Sequence, residues 1–238
     1  MKTEIYIATH KAYDFPKIDG YIPIHVGKAL TDLDLGIIGD NTGDHISELN
    51  PNFCELTALY WMWKNSDADI LGLVHYRRYF ESKNNVGKIL TFDEFNIKNI
   101  GNKIFLIKQE KLYVEKFNIK IPVNTAIQYK FNHISGDWKV LESVISDLYP
   151  NYIESFIKIS RDFKISFYNM FLGNRVFLVE YAEWLFSILF ELSKRINISK
   201  YNSYQSRIYG FISERLLNVF VYHHRSKYSI EYFYKLDI

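Results

Sequence analysis

Cysteine is nearly absent from this chain of 238 residues, where Cys54 stands alone. One thiol excludes an internal disulfide framework and any zinc module built on cysteine pairs, and it fits a reducing compartment. Cys54 itself is expected to pack as a small apolar residue. Proline and glycine are scarce at 5 and 11, so no flexible joint divides the chain, and it is expected to fold as one unit over residues 1–238. Charge of one sign is missing as well: 29 Lys and Arg face 27 Asp and Glu, a net charge of +2. That balance provides no bulk field for nucleic acid, so nucleic-acid binding is not expected. Long apolar runs are lacking too, since the greasiest stretch, Val176 to Leu192, is interrupted by Glu180, Glu183 and Glu191. The first ten residues hold too short an apolar run for a signal peptide, which points to the cytoplasm. Finally, neither G-x-G-x-x-G nor G-x-x-x-x-G-K-[ST] occurs, which removes the usual glycine cradles for dinucleotides and phosphates.

Aromatics fill the space those absences leave: 19 Tyr, 18 Phe and 4 Trp make up 17% of the chain. A protein this aromatic is densely globular, with some rings left to line a surface or pocket. The order of patterns is α/β. Glu4 to Ala8, Tyr21 to Val26, Leu35 to Ile38 and Ile70 to Val74 read as short strands. Gly39 to Asp44 is a loop of turn formers, and Phe53 to Lys64 carries helical spacing, with Ser47 or Asn50 as its cap and Pro51 in its first turn. Tyr60, Trp61 and Trp63 form a stripe of the kind that packs in a core. Strand, loop, helix and strand over the first 80 residues predict a mainly parallel sheet with right-handed crossovers. Beyond it, 81–103 reads as a polar surface excursion and Ile104 to Ile107 as a strand. Helices are expected over Trp138 to Leu148 and Asn151 to Phe163, and Phe167 to Leu172 reads as a strand holding one Asn. Phe177 to Arg195 is the longest helix. Tyr209 to Phe220 is a turn and buried helix with Glu214 and Arg215 at its beginning.

The densest chemistry stands at Gly72-Leu73-Val74-His75-Tyr76-Arg77-Arg78-Tyr79-Phe80, where an apolar strand runs directly into reactive side chains. Ligands of open α/β sheets bind beyond the carboxyl ends of strands. Arg77 and Arg78 offer planar forks of donors suited to phosphate or carboxylate, and His75 can donate, accept or ligate a metal. Thr9, His10 and Lys11 repeat the pattern at the end of the first strand.

Several motifs together resemble one bacterial family. These are Ile22-Pro23-Ile24-His25-Val26-Gly27-Lys28-Ala29, Ile38-Gly39-Asp40-Asn41-Thr42-Gly43-Asp44, Asn50-Pro51-Asn52-Phe53-Cys54-Glu55-Leu56-Thr57, the His75 segment, Tyr168-Asn169-Met170-Phe171 and Gly210-Phe211-Ile212-Ser213-Glu214-Arg215-Leu216-Leu217. In that order, over nearly the whole chain, they look like the family called domain of unknown function 4422, whose members are regarded as glycosyltransferases of capsule, exopolysaccharide and O-antigen synthesis. The resemblance implies an α/β, GT-A-like fold: one Rossmann-type mixed, mainly parallel sheet flanked by helices, with a nucleotide-sugar-binding half (1–110) and a helical acceptor-binding half (111–238). It further implies a UDP-sugar donor, with galactose in furanose or pyranose form first, and a lipid-linked glycan acceptor at the inner face of the plasma membrane. A catalytically silent carbohydrate- or nucleotide-binding protein would show the same aromatics and the same strand-end arginines.

The chain departs from the GT-A pattern where a metal would sit. Asp67-Ala68-Asp69 spells D-x-D but precedes the central strand, and His75-Tyr76-Arg77 occupies the place after it. Either His75, with Asp40, helps to hold Mn²⁺ or Mg²⁺, or Arg77 and Arg78 supply the positive charge without a metal. The second route is favoured because the strand end offers no carboxylate. Within the resemblance, Glu214 takes the place of the general base, with Asp137 as the other candidate. Thr9, His10, Lys11, Asp40, Asn41, His75, Tyr76, Arg77, Arg78 and Asn169 go to the donor, and His133, Arg207 and Arg215 to the acceptor. Asn52 and Glu55 are read as helix-capping residues near the cleft. The segment from Tyr222 to Lys235, with His223, His224, Arg225 and Lys227, is read as a solvated face, with membrane contact as the alternative.

Overall fold

The computed structural model describes residues 1–94 and 100–238. Its first part follows the expected alternation. β1 (Thr3–Thr9) pairs in parallel with β2 (Tyr21–His25), which pairs with the two-residue β3 (Ile38–Gly39). α1 (Asn50–Phe53) and α2 (Leu56–Asn65) lead to β4 (Ile70–His75), which lies parallel on the other side of β1. β5 (Arg78–Phe80) folds back onto the end of β4. Next come β6 (Lys103–Ile107), β7 (Glu110–Lys111), the hairpin of β8 (Tyr113–Lys116) and β9 (Ile119–Pro122), and the helices α3 (Thr125–Asn132), α4 (Ser135–Leu148) and α5 (Ile153–Arg161). β10 (Lys164–Ile165) pairs with β7, and β11 (Phe171–Asn174) enters the main sheet; α6 (Arg175–Arg195), α7 (Ile208–His223), β12 (Ser229–Phe233) and β13 (Lys235–Asp237) follow.

Among the described residues nine strands share one sheet, in the order β12-β6-β11-β4-β1-β2-β3, with β5 on β4 and β13 on β5. Only β11 runs against its neighbours in that row, so the sheet is mixed and mainly parallel. Parallel strands covered on both faces read as unbroken apolar runs. In β1, Ile5 and Ile7 bury on one face while Tyr6 and Ala8 bury on the other; in β4, Ile70 and Val74 oppose Leu71 and Leu73. Helices α2, α6 and α7 pack one face, with Trp63 stacked on Phe186 at 6.0 Å. The other face is covered by irregular chain bearing Tyr13, Phe15 and Leu90, together with Tyr79 and Phe80 of β5. The excursion expected over 81–103 is thus partly core, since Leu90 and Ile100 are buried; its residues 95–99 lie outside the described residues.

Other expectations need correction. The helix read across Phe53 to Lys64 is broken at Cys54, whose backbone leaves helical geometry with φ 52° and ψ −132°. Neither Ser47 nor Asn50 caps it: Ser47 Oγ binds Asp40, and Asn50 lies inside α1. The strand read across Phe167 to Leu172 starts only at Phe171. Glu214 and Arg215 sit in the middle of α7 rather than at its start. The Tyr222 to Lys235 segment is built into the fold: Tyr152 and Ser155 bond His224 and His223, Glu180 binds Lys227 and Tyr228, and 229–233 is a sheet strand. The second half is not wholly helical either, because β11, β12 and β13 complete the sheet begun by the first. No helix among the described residues is long and apolar enough to cross a membrane.

Candidate active site

Two consecutive residues just before β11 organise a cleft at the carboxyl ends of β1 and β4. Tyr168 and Asn169 both take left-handed backbone conformations, with φ of 72° and 52°, a region that costs a residue with a side chain about 1–2 kcal/mol. Bent this way, the pair holds three groups at once. The Tyr168 carbonyl accepts from His75 Nε2 at 2.6 Å, its amide donates to Glu214 Oε1 at 2.9 Å, and the Asn169 side chain donates to Glu55 Oε1 at 2.6 Å. Asn169 is itself held by the Ser213 hydroxyl, which donates to its Oδ1 at 2.9 Å. Since a carbonyl only accepts, His75 carries its proton on Nε2.

Glu55 arrives from a second irregular point. Cys54 has φ 52° and ψ −132°, a combination that glycine adopts far more readily, and the distortion persists because its surroundings fix it. The Asn50 side chain donates to the Cys54 carbonyl at 2.8 Å and the Thr57 hydroxyl donates to it at 3.1 Å. α7 presses in from behind: a Cβ on Gly210 would lie 3.2 Å from the Cys54 sulfur. Burial pushes the Cys54 thiol up to about 11, and Arg207 Nε donates to its sulfur at 3.2 Å. Cys54 is therefore part of the cleft wall as well as of the packing. Glu55 makes no capping bond to α2. Its carboxylate stands in the cleft instead, with Oε2 unpartnered among the described residues.

The cleft has two lobes that share Glu55, His75, Arg78 and Arg207. The outer lobe, about 570 Å³, is also lined by His10, Tyr76 and Arg77. Tyr76 is buried under a cationic rim: the His10 ring meets it edge-on at 5.6 Å, and Arg77 and Lys11 lie over it at 4.9 and 5.4 Å. Burial depresses the pKa of His10, and Lys11, Arg77 and Arg207 add to the effect. The positive charges around the pocket thus disfavour the protonated form of His10. Arg78 stacks over Tyr168 at 4.9 Å and lies 3.6 Å from Asp237.

The inner lobe, about 390 Å³, is lined by aromatic faces and a buried ion pair. His133 stacks on Phe211 at 4.2 Å and on Tyr204 at 6.0 Å, giving flat apolar surface of the kind that suits a sugar ring. Glu214 Oε2 accepts from Arg215 Nη1 at 2.7 Å, and Arg215 also donates to the Phe211 carbonyl and to Gln128. Burial raises the pKa of Glu214, with Arg215 opposing it and Glu55 adding to it. Burial pushes the His133 pKa down from 6.5 to about 4, and Arg215 contributes. A histidine depressed in the folded state stabilises the protein above its unfolded pKa, and that stability is lost as the pH falls towards the folded value. Stability is therefore expected to fall as the pH drops from 6.5 towards 4 on account of this residue, by at most about 1.4 kcal/mol per pH unit. Urea unfolding at pH 7 and 4.5 checks it: a His133→Phe variant that keeps the wild-type pH dependence would refute the assignment.

The remaining sequence candidates lie elsewhere. Thr9 is buried at the end of β1, its hydroxyl donating to the Lys11 carbonyl at 2.7 Å. Asp40 is fully buried and organises the chain around Gly27: it accepts from the Gly27 and Lys28 amides at 2.9 and 3.1 Å and from Ser47. Asn41 is exposed and lines neither lobe. Asp137 is buried in the first turn of α4, accepts from the Tyr201 hydroxyl at 2.7 Å, and does not line the cleft. Asn52 ties α1 to the Arg207 segment through the Ser206 carbonyl at 2.9 Å. Glu55, which the sequence suggests as a helix cap near the cleft, is the functional candidate that the fold adds; its signal in the sequence is an acid within helical spacing that reads as continuous from Phe53 to Lys64. Mn²⁺ or Mg²⁺ favours several oxygen ligands. With its proton on Nε2, His75 offers a single lone pair, on Nδ1; both Asp40 oxygens already accept hydrogen bonds, and among the described residues no three His, Cys, Asp or Glu groups converge. The donor set does not fit such an ion.

A family model described as domain of unknown function (DUF4422) matches residues 4–225. A solved structure titled "WbbM bifunctional glycosyltransferase apo structure" superposes with a TM-score of 0.87 at 28% identity, over 100% of this chain and 45% of that one. The chain thus spans less than half the length of that protein. No curated protein matches.

Proposed function

This chain belongs to the domain of unknown function (DUF4422) family, and from that premise we propose that it is a glycosyltransferase acting in the two-lobed cleft. The donor is a UDP-sugar, a hexose with galactose considered first, and the acceptor is a lipid-linked glycan of a bacterial surface polysaccharide. The observation that carries the reading is one carboxylate, Glu55, at the junction of a cationic lobe and an aromatic lobe. The outer lobe suits a nucleoside diphosphate, whose phosphates gain charge as the sugar leaves; Arg77, Arg78 and Arg207 supply the compensating charge without a metal. The inner lobe suits the acceptor sugar, laid against the His133–Phe211–Tyr204 stack.

Transfer then runs as a single displacement. An acceptor hydroxyl oxygen attacks the anomeric carbon, the bond from that carbon to the phosphate oxygen breaks, and its electron pair leaves with UDP. Glu55 takes the hydroxyl proton on its free oxygen while Asn169 holds the other. Glu214, engaged by Arg215 and Tyr168, keeps the aromatic lobe in shape.

Thermal melts of wild type and Arg77→Ala against UDP-, GDP- and CMP-sugars, each with Mn²⁺ and with a chelator, test the donor site. UDP-sugar at saturation is expected to raise the melting temperature by about 5–10 °C, equally with chelator, and the shift is expected to vanish in Arg77→Ala. The variant itself should melt like wild type, since Arg77 is exposed. A shift that needs Mn²⁺ would overturn the metal-free route. No shift with any nucleotide would overturn the donor site and favour a silent binding protein.

A further inference from the structure

The β8–β9 hairpin bears the most exposed of the large aromatic side chains among the described residues, Phe117 at 87%. Phe117 and Asn118 make its two-residue turn, both left-handed with φ of 52° and 61°. Such a turn favours Asn or Gly at both places. Phe117 has the Lys116 ammonium 5.6 Å from its ring centre but gains almost no burial from the fold, which leaves the ring available to a partner outside the chain. Ile119, on the following strand, is 63% exposed.

At the base of the hairpin lies a groove of about 510 Å³ with walls from Leu112, Tyr113, Pro122 and Phe163. Its rim holds a repulsive arrangement. Lys111 and Lys164 stand directly opposite each other in the antiparallel β7–β10 pair, where like charges destabilise. Neither has an acidic partner among the described residues, whereas Lys158 beside them is paired with Asp162. Residues 110–122 and 158–164 together hold six Lys or Arg against three Asp or Glu, although the chain as a whole is close to neutral. An apolar tip inside a cationic collar matches an anionic lipid surface, with rings and isoleucines at the acyl boundary and ammonium groups among the headgroups.

We propose that the β8–β9 hairpin, with the Lys111–Lys164 groove at its base, docks the protein on an anionic lipid bilayer, Phe117 and Ile119 entering the headgroup–acyl boundary. α3 packs against β8 and joins this surface to the cleft. Its Gln128 and Asn132 line the inner lobe, while the adjacent stripe of Ile127 and Phe131 is exposed. Docking here would therefore bring the aromatic lobe close to the membrane. The inference stands on the hairpin alone and is independent of what the cleft does.

Flotation with vesicles tests it without any sugar. Wild type is expected to float with vesicles in which a third of the lipid is phosphatidylglycerol and the rest phosphatidylcholine, and to stay behind with phosphatidylcholine alone. Phe117→Ser/Ile119→Ser and Lys111→Gln/Lys164→Gln are each expected to bind about tenfold more weakly or worse, the first with a wild-type melting temperature because its residues are exposed, the second at or slightly above wild type because the Lys111–Lys164 repulsion is relieved. A Phe117→Trp variant adds a direct readout: blue-shifted emission on the anionic vesicles supports insertion, and unchanged emission opposes it. Failure of wild type to float, or equal flotation of the serine variant, overturns the proposal. So does a wild-type dimer in solution that Phe117→Ser/Ile119→Ser converts to monomer, which would make the hairpin a contact between copies.

Discussion

Glu55→Gln is expected to lower the turnover number by about 10²–10⁴-fold while leaving KM for the donor and the melting temperature close to wild type. The amide keeps the shape of the side chain, and its oxygen still accepts from Asn169, which donates to Glu55 Oε1 at 2.6 Å. What is lost is the capacity to take a proton. Loss confined to turnover is the signature of an interaction made at the transition state. Initial rates with purified UDP-sugar and a glycan acceptor measure it, and a variant within threefold of wild type would remove Glu55 from the mechanism.

Glu214→Gln is expected to act differently, on the fold. Arg215 is 2% exposed and Glu214 is 16% exposed, and the pair is closed at 2.7 Å. Removing one partner leaves the other charge buried, which costs about 3 kcal/mol, or roughly 10 °C in melting temperature for a chain of this size. Arg215 Nε already lacks a partner, so little is left to absorb the change. Adding Arg215→Met removes the stranded charge and is expected to restore about half of the loss or more. Differential scanning calorimetry of the single and double variants decides the matter. A Glu214→Gln protein that melts like wild type yet is inactive would transfer the role of base from Glu55 to Glu214.

These two outcomes turn on how differently the two carboxylates could be read in the sequence. Glu214 sits in a run, Gly210 to Leu217, that carries a family resemblance, and it attracted a catalytic role. In the fold both of its oxygens are occupied, by Arg215 and by the Tyr168 amide. Glu55 follows a phenylalanine and a cysteine inside a continuous run of helical spacing, where the pattern alone suggests a cap. Only the left-handed geometry at Cys54 and the reach of Asn169 from far along the chain turn it into the cleft. Likewise the sequence suggests Asp40 for the donor and Asp137 as a second candidate base, while the fold uses them to accept from backbone amides and from a tyrosine hydroxyl. The strand-end cluster was more legible, with His75, Tyr76, Arg77 and Arg78 all lining the outer lobe.

The sequence by itself determined the α/β class, the parallel core strands and the family. Each follows from information carried by neighbouring residues: apolar runs at strand length, helical spacing, and motifs in a fixed order. It also determined that reactive groups stand at the end of β4, because a strand's direction fixes where its last side chain lies. Tertiary structure alone decided which acid faces the cleft, which arginine is buried, and that Tyr168 and Asn169 form a left-handed corner instead of a strand. Those features depend on contacts between residues more than 40 positions apart, and backbone strain at such points is held in place by distant packing that no local pattern records.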